Sequence, residues 1–300
     1  MNHAALLVFA LLLDALLGEP KWLWDRVPHP AVLMGRLIGW ADTRINTGTA
    51  RRAKGVLLVI TLIALGAFIG GALGQFPVLS VLGAAILLAH KSLVTHVRNV
   101  ATALGVSLAD GRAEVAMIVG RDTDGMDEAA VSRAAIESAA ENFSDGVIAP
   151  AFWFLIAGLP GIVIYKMINT ADSMIGYRTE RHRDFGWAAA RLDDLLNLIP
   201  ARLTAALIAV SYGIVDFTRV RADARLHRSP NAGWPEAALS RVLGLALAGP
   251  RAYHGEMRDY PWVNAIGRKT ARSTDIQLAV KALWRVWGVG FVIIALLALV

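Results

Sequence analysis

Three clusters of carboxylate, amide and basic side chains stand beside apolar segments of this sequence. A charge at the centre of a bilayer costs about 2.5–3.5 kcal/mol on the insertion scale, so such clusters are paired or functional. The first is ESAAENFSDGVIAP, in which Glu137 and Glu141 are spaced to share one face of a predicted helix. Asp145 follows beside Gly146. Hard oxygen ligands at this spacing suit Mg²⁺, which binds a few carboxylates plus substrate phosphates. The same residues would equally form a solvated helix face.

The second cluster lies in KMINTADSMIGYR, directly after an apolar segment. Within two helical turns it places Lys166, Asn169, Asp172 and Ser173. A buried Asn–Asp pair at this position is hard to explain by packing alone. The nearby Arg178 has the planar fork of donors that matches phosphate oxygens, although a basic membrane flank would look the same.

The third cluster is RLDDLLNLIPARL, in which Asp193 and Asn197 are spaced i, i+4 and Asp194 lies on a neighbouring face. Adjacent carboxylates this close to an apolar segment indicate a metal site or an ion-pair network. Arg202 follows in the next helix. A fourth, weaker signal is Arg121 in the turn GRDT, which would hold a phosphate or begin a capped helix.

These clusters belong to a membrane protein by composition. Of the 300 residues 56% are hydrophobic and 18% charged, and the mean hydropathy is +0.50. Soluble domains carry about 25% charge. The absence of cysteine excludes disulfides and thiolate zinc sites. The net charge of +6 is best explained by cytoplasmic loops and anionic lipid, and we expect no nucleic-acid partner. A P-loop, G-x-S-x-G and H-E-x-x-H are absent.

We therefore predict an all-α polytopic membrane protein built as a single integral membrane domain over residues 1–300. The predicted apolar segments are 4–18, 55–76, 78–89, 147–165, 203–215 and 286–300. Between them lie a cytoplasmic helical insert at 92–145 and a polar, basic region at 216–285. Segment 147–165 contains Gly158, Pro160 and Gly161, which predict a broken helix. Cations after this segment favour a re-entrant hairpin folded at Pro160, with both flanks cytoplasmic.

The ordered motifs of this chain resemble those of the CbiB/CobD family, the adenosylcobinamide-phosphate synthases. The motifs are GEP, HPAVLMG, VGRDT, ESAAENFSDGVIAP, NTADSMIGYR, FGWAAARLDDLLNLIPARL and SPNAGWPEAAL. The resemblance implies an amide ligation, dependent on ATP and Mg²⁺, between adenosylcobyric acid and (R)-1-amino-2-propanol phosphate. It also implies a multi-pass protein of the prokaryotic cell membrane, with its site facing the cytoplasm beside other cobalamin assembly enzymes.

Acyl activation by phosphoryl transfer needs Mg²⁺ and cations more than covalent chemistry by the protein. We predict four catalytic carboxylates: Glu141, Asp172, Asp193 and Asp194. The predicted metal ligands are Glu141, Asp145, Asp172 and Asp193. The predicted substrate- or phosphate-binding residues are Arg121, Asn142, Lys166, Asn169, Ser173, Arg178, Asn197 and Arg202. A transporter and a non-catalytic membrane sensor are the alternatives, but the polar clusters at segment ends favour an enzyme.

Overall fold

The computed structural model describes residues 2–253 and 256–300, and helices dominate it. The helices are α1 (His3–Leu17), α2 (Lys21–Trp24), α3 (Pro30–Arg44), α4 (Arg51–Gly74), α5 (Pro77–Leu87), α6 (His90–Leu104), α7 (Leu108–Ala116), α8 (Glu128–Phe143), α9 (Ala149–Ile175), α10 (Trp187–Leu196), α11 (Leu198–Tyr212), α12 (Phe217–Ala224), α13 (Gly233–Leu243) and α14 (Ser273–Leu297). A π-helical turn at Ser144–Ile148 precedes α9. The prediction of an all-α protein is confirmed.

Two short antiparallel pairs of strands, which the sequence did not predict, interrupt the basic region. Strand β1 (Leu247–Ala248) pairs with β4 (Trp262–Val263), so that Leu247 is opposite Val263. Strand β2 (Arg251–Tyr253) pairs with β3 (Glu256–Arg258). These strands are too short to give the alternating pattern by which a strand is recognised in sequence.

Five helical stretches are long and apolar enough to cross a membrane. They are Arg51–Gly74, Pro77–Leu104, Glu128–Ile175, Trp187–Tyr212 and Ser273–Leu297, and the shorter α1 is also apolar. Helix α4 shows why, since 24 residues rise about 36 Å and the hydrocarbon core is about 30 Å thick. Its Leu57, Ile60 and Phe68 are exposed, as side chains facing lipid would be. The chain is therefore a multi-pass membrane protein.

The chain divides into two compact units. The first contains the residues up to Lys91 together with Asp145–Leu198 and Ile293–Val300. The second contains Ser92–Ser144 and Ile199–Val292. That these units form the single membrane domain expected from the sequence stays a prediction.

In the first unit, α9 is broken at Gly158 and folds back on itself. Gly158 has φ 62° and ψ −150°, a conformation that glycine adopts readily. The hydroxyl of Tyr165 lies 3.0 Å from the backbone carbonyl of Asp145, whereas 20 residues of straight helix would separate them by about 30 Å. The predicted break in this helix and its fold-back are thus confirmed, with the break two residues before Pro160. That the hairpin re-enters the membrane with both flanks cytoplasmic stays a prediction.

Helix α4 packs closely against this hairpin because it presents glycine to it. A Cβ at Gly70 would lie 2.4 Å from the Cα of Pro160, and one at Gly66 would lie 3.0 Å from Ile164. Small residues let helix backbones approach in membranes, where dispersion replaces the hydrophobic effect as the source of association.

We expect Gly70→Ala to lower the free energy of unfolding of the detergent-solubilised protein by about 1–3 kcal/mol, the usual cost of overpacking, and therefore to lower its melting temperature. Gly71→Ala is the matched control, since nothing lies within 4 Å of a Cβ at that position. The control keeps the gain in helix propensity, about 1 kcal/mol, without the clash. Equal melting temperatures for the two variants would show that the contact with Pro160 is not close.

In the second unit, α6 and α8 show how local sequence specifies a helix. Val94, Val97 and Val100 are buried at helical spacing, so α6 has one core-facing stripe. Helix α8 is capped by Asp127, whose carboxylate accepts a hydrogen bond of 2.7 Å from the backbone N–H of Ala130. Helix α8 carries the buried Glu137 on which the polar core of this unit depends.

Candidate functional site

A continuous chain of hydrogen bonds connects the second and third sequence clusters within the first unit. The amide of Asn169 on α9 donates to Oδ1 of Asp193 on α10 at 3.2 Å. The amide of Asn197 donates to Oδ2 of the same carboxylate at 3.0 Å. Both oxygens of the buried Asp193 are therefore held in orientation by amides. A carboxylate has about four lone-pair sites, so acceptor capacity remains on both oxygens.

Tyr165 extends this chain to the start of the hairpin. Its hydroxyl lies 2.9 Å from Oδ1 of Asn197 and 3.0 Å from the carbonyl oxygen of Asp145. Tyr165 is fully buried, and a buried hydroxyl needs such partners. The fold-back of α9 thus brings three separated stretches of the sequence, around residues 145, 165–169 and 193–197, to one place.

Asp172 lies one turn beyond Asn169 and is half-buried. A Cβ at Gly176 would lie 2.0 Å from Oδ1 of Asp172, so glycine at 176 leaves the space that this carboxylate occupies. The side chain therefore folds over the end of α9. The i, i+4 spacing of Asp172 and Gly176 brings the two residues together on one face of α9.

The remaining predicted residues of the first unit surround this chain. Lys166 interacts electrostatically with Asp145, and Arg178 and Arg191 do so with Asp194. Ser173 is exposed, and its hydroxyl donates to the carbonyl of Asn169 at 2.9 Å. The first unit therefore places carboxylates, which can bind Mg²⁺, beside amides and cations, and the cations can bind phosphate.

A second network fixes the loop that follows α9. Arg181 donates through Nε and Nη2 to Oδ2 of Asp42 at 3.1 and 2.9 Å. Asn46 donates both to Asp42, at 2.8 Å, and to the carbonyl of Arg181, at 3.0 Å. Burial would raise the pKa of Asp42, but hydrogen bonds from Asn46, Arg181 and His182 hold it below its ordinary value. This clamp holds the segment that carries Arg178.

The second unit has its own polar core, centred on the buried Glu137. Oε2 of Glu137 lies 2.7 Å from Nη2 of Arg121 and 3.4 Å from Nη1 of Arg251. Oε1 accepts from the backbone N–H of Ala248 at 2.7 Å. One carboxylate thus connects α8 with the loop before it and with strands β1 and β2. Together with Arg133, these residues line a cavity of about 110 Å³.

Glu236 lies beside this core and is buried. Burial raises the pKa of Glu236 well above its ordinary value, and the negative charge of Glu137 acts in the same direction. Nε2 of His227 is 3.8 Å from Oε2 of Glu236, and burial lowers the pKa of His227. Burial therefore favours the protonated form of Glu236 and the neutral form of His227.

This protonation predicts how stability depends on pH. A carboxyl whose pKa is raised on folding binds more protons in the folded state, so stability falls as pH rises above the ordinary value of 4.5. We expect Glu236→Gln, which cannot ionise, to raise the melting temperature relative to wild type at pH 8 and to match it near pH 4.5. Scanning fluorimetry in detergent measures this, and a constant difference across that range would contradict the assignment.

Three other predicted residues lie in the second unit. Glu141 and Asn142 are exposed near the end of α8, and the amide of Asn142 donates to the carbonyl of Ser138 at 2.9 Å. Arg202 donates to Oδ1 of Asn231 at 3.2 Å, and its guanidinium lies 4.8 Å from the ring centre of Trp234.

Since Glu141 and Asp145 belong to different units, their shared metal site stays a prediction. Across residues 2–253 and 256–300, no three His, Asp or Glu side chains form a ready metal site.

Comparison with known proteins identifies the family. The family model described as CobD/Cbib protein matches residues 7–283. Proteins named Cobalamin biosynthesis protein CobD are similar over nearly the whole chain. One from Sinorhizobium sp is 49% identical over 92% of both chains, and one from Brucella anthropi is 48% identical over 93% of this chain and 92% of its own. The chain belongs to the CobD/CbiB family. A relative from Rhodobacter capsulatus is 46% identical over 88% of both chains. No solved structure gives a significant match.

Membership of the CobD/CbiB family confirms the resemblance drawn from the motifs and gives the protein a role in cobalamin biosynthesis. Sequence reasoning missed four residues of the polar cores described above. They are Tyr165, Arg133, Arg251 and Glu236. Tyr165 is hidden inside an apolar segment, and Arg251 follows Glu137 by 114 positions, so that no local spacing joins them. The run SPNAGWPEAAL contains Glu236, and a carboxylate among small residues was the signal available for it.

Proposed function

We propose that this protein is an adenosylcobinamide-phosphate synthase. It would join a carboxylate of adenosylcobyric acid to the amine of (R)-1-amino-2-propanol phosphate at the expense of ATP. Membership of the CobD/CbiB family over residues 7–283 is the observation that carries the proposal. The oriented carboxylate of Asp193 within the first unit supports it, because the reaction needs acidic and amide groups at one place.

The hairpin in α9 supports a site on the cytoplasmic side of the prokaryotic cell membrane. Because the chain reverses at Gly158, Asp145 and the residues after Lys166 lie at the same end of the hairpin. Cations follow the hairpin, including Arg178, Arg181 and Arg183, and positive charge accumulates in cytoplasmic loops. ATP is available on that side.

The proposed reaction has two chemical steps. A carboxylate oxygen of the corrinoid attacks the γ-phosphorus of ATP, the bond to ADP breaks, and an acyl phosphate forms. The amine then attacks the acyl carbon and a C–N bond forms. The bond between the acyl carbon and the bridging oxygen breaks, and inorganic phosphate leaves with that oxygen. A base takes the proton released by the amine. Cations near the reacting phosphate, with Lys166 and Arg178 as candidates, would stabilise the charge that develops.

The donor set of the first unit fits Mg²⁺ by its chemistry. Asp172 and Asp193 offer carboxylate oxygens beside amides, and Mg²⁺ prefers one or two carboxylates together with substrate phosphates. When bound, the ion would neutralise phosphate charge. Asn169 and Asn197 would act as positioning residues, since both donate to Asp193 and fix its orientation. Asp194, half-buried beside Asp193, is a candidate for the base.

The test uses full-length protein purified in detergent, with adenosylcobyric acid, aminopropanol phosphate and MgATP. Mass spectrometry should detect a corrinoid that contains the amide-linked aminopropanol phosphate, formed only when ATP is present. Binding of the corrinoid by folded protein, with no product under any of these conditions, would favour the non-catalytic sensor and contradict the proposal. Omission of each substrate in turn provides the controls.

A further inference from the structure

The cavity beside Glu137 in the second unit has the features of an anion site. Three guanidinium groups line it, from Arg121 in the loop before α8, Arg133 on α8 and Arg251 on β2. The lining carboxylates are Asp122 and Glu137. Glu137 already lies within ion-pair distance of Arg121 and Arg251 and accepts a backbone N–H. The lining therefore carries more positive than negative charge.

Two of these arginines keep N–H donors without a hydrogen-bond partner among the described residues. The side chain of Arg121 is only 8% exposed, and its Nε has no hydrogen-bond partner among the described residues. Arg133 donates through Nη1 to the carbonyl of Lys269 at 2.9 Å, which uses one of the five N–H donors of a guanidinium. A buried N–H without an acceptor is destabilising, and an anionic ligand that accepts from the guanidinium groups would offset this cost.

We propose that this cavity binds the phosphate group of a small phosphate monoester. A phosphate offers several acceptor oxygens to guanidinium forks that reach it from different elements. The cavity volume of about 110 Å³ suits a small ester more than a whole nucleotide. Resting on the proposed function, the ester is the amine substrate, and the cavity discriminates it from the free amino alcohol.

Binding to the full-length protein in detergent tests the site without turnover. Isothermal titration would compare aminopropanol phosphate, inorganic phosphate and phosphate-free aminopropanol. We expect the two phosphate compounds to bind and the free amino alcohol to bind at least about tenfold more weakly, since a charge-assisted hydrogen bond contributes that much. Equal affinity for the ester and the free amino alcohol would overturn the proposal.

The decisive variant is Arg133→Gln, because Glu137 keeps its contacts with Arg121 and Arg251 when Arg133 is changed. We expect about a tenfold to hundredfold weaker binding of aminopropanol phosphate. Arg133→Lys, which keeps the charge but not the fork, should be intermediate. Arg219→Gln is the matched control, since Arg219 is an exposed arginine of the same unit that pairs with Asp216. Equal melting temperatures would show that the variants are folded.

Steady-state kinetics separates this proposal from the proposed function. For Arg133→Gln we expect the KM for aminopropanol phosphate to rise about tenfold or more while the KM for ATP stays within about twofold. A raised KM for ATP alone would assign the cavity to the nucleotide and overturn the proposal. Binding that depends on Arg133 in a protein without ligase activity would support the cavity and contradict the function. Unchanged binding of aminopropanol phosphate by an active Arg133→Gln variant would support the function and contradict the role of the cavity.

Discussion

Replacing Asp193 by asparagine is expected to lower ligase turnover by roughly 10²–10³-fold, the range seen when one group that stabilises charge in the transition state is removed. The carboxylate accepts from Asn169 on one oxygen and from Asn197 on the other. An asparagine at 193 keeps the size but removes the charge, and it places an NH₂ group opposite one of the two amide donors. The measurement is product formation at saturating substrates.

The control for this loss is Glu180→Gln, which removes a carboxylate from an exposed position of the loop after α9. We expect it to keep wild-type turnover. Asn169→Ala should give an intermediate loss of about 10–100-fold, because it removes an orienting contact and leaves the carboxylate. Normal turnover by the Asp193→Asn protein would remove Asp193 from the reaction.

The second large effect is expected on stability. Glu137→Ala leaves the buried guanidinium of Arg121 without the carboxylate at 2.7 Å and removes the acceptor for the N–H of Ala248. Arg251 loses an ion-pair contact at 3.4 Å. Breaking a buried ion pair by removing one partner costs about 3–5 kcal/mol, so the melting temperature should fall by many degrees.

Glu256→Ala is the matched control for this prediction. Glu256 lies 3.5 Å from Arg258, but its side chain is 76% exposed. Exposed ion pairs contribute about 0–1 kcal/mol, so this variant should melt close to wild type. A similar small shift for Glu137→Ala would mean that the polar core of the second unit does not stabilise the fold.

Much of the first unit could be predicted because its signals are local. Gly158, Pro160 and Gly161 within one apolar segment predicted the hairpin, and the i, i+4 spacing of Asp193 and Asn197 indicated one polar cluster. The approach of Gly70 to Pro160 could not be predicted, because a glycine in an apolar helix does not indicate which backbone lies against it. Tyr165 was missed for a similar reason, since its hydroxyl partners come from residues 145 and 197.

The second unit was harder to predict because its contacts join distant positions. The i, i+4 spacing of Glu137 and Glu141 suggested a shared role, yet Glu137 is buried against arginines and Glu141 is exposed. What distinguishes Glu137 is its contact with strands β1 and β2, which are only two and three residues long. Arg121 was recognised as a cation near phosphate, but its partner Glu137 became visible only in three dimensions.

The most direct test of the account follows oxygen during turnover. Adenosylcobyric acid labelled with ¹⁸O in its reactive carboxylate would be incubated with the wild-type protein, aminopropanol phosphate and MgATP. If the carboxylate is activated as an acyl phosphate, one ¹⁸O atom passes to inorganic phosphate for each amide formed, and mass spectrometry of the phosphate detects it. Product accompanied by unlabelled phosphate, or label in AMP in place of phosphate, would contradict the account.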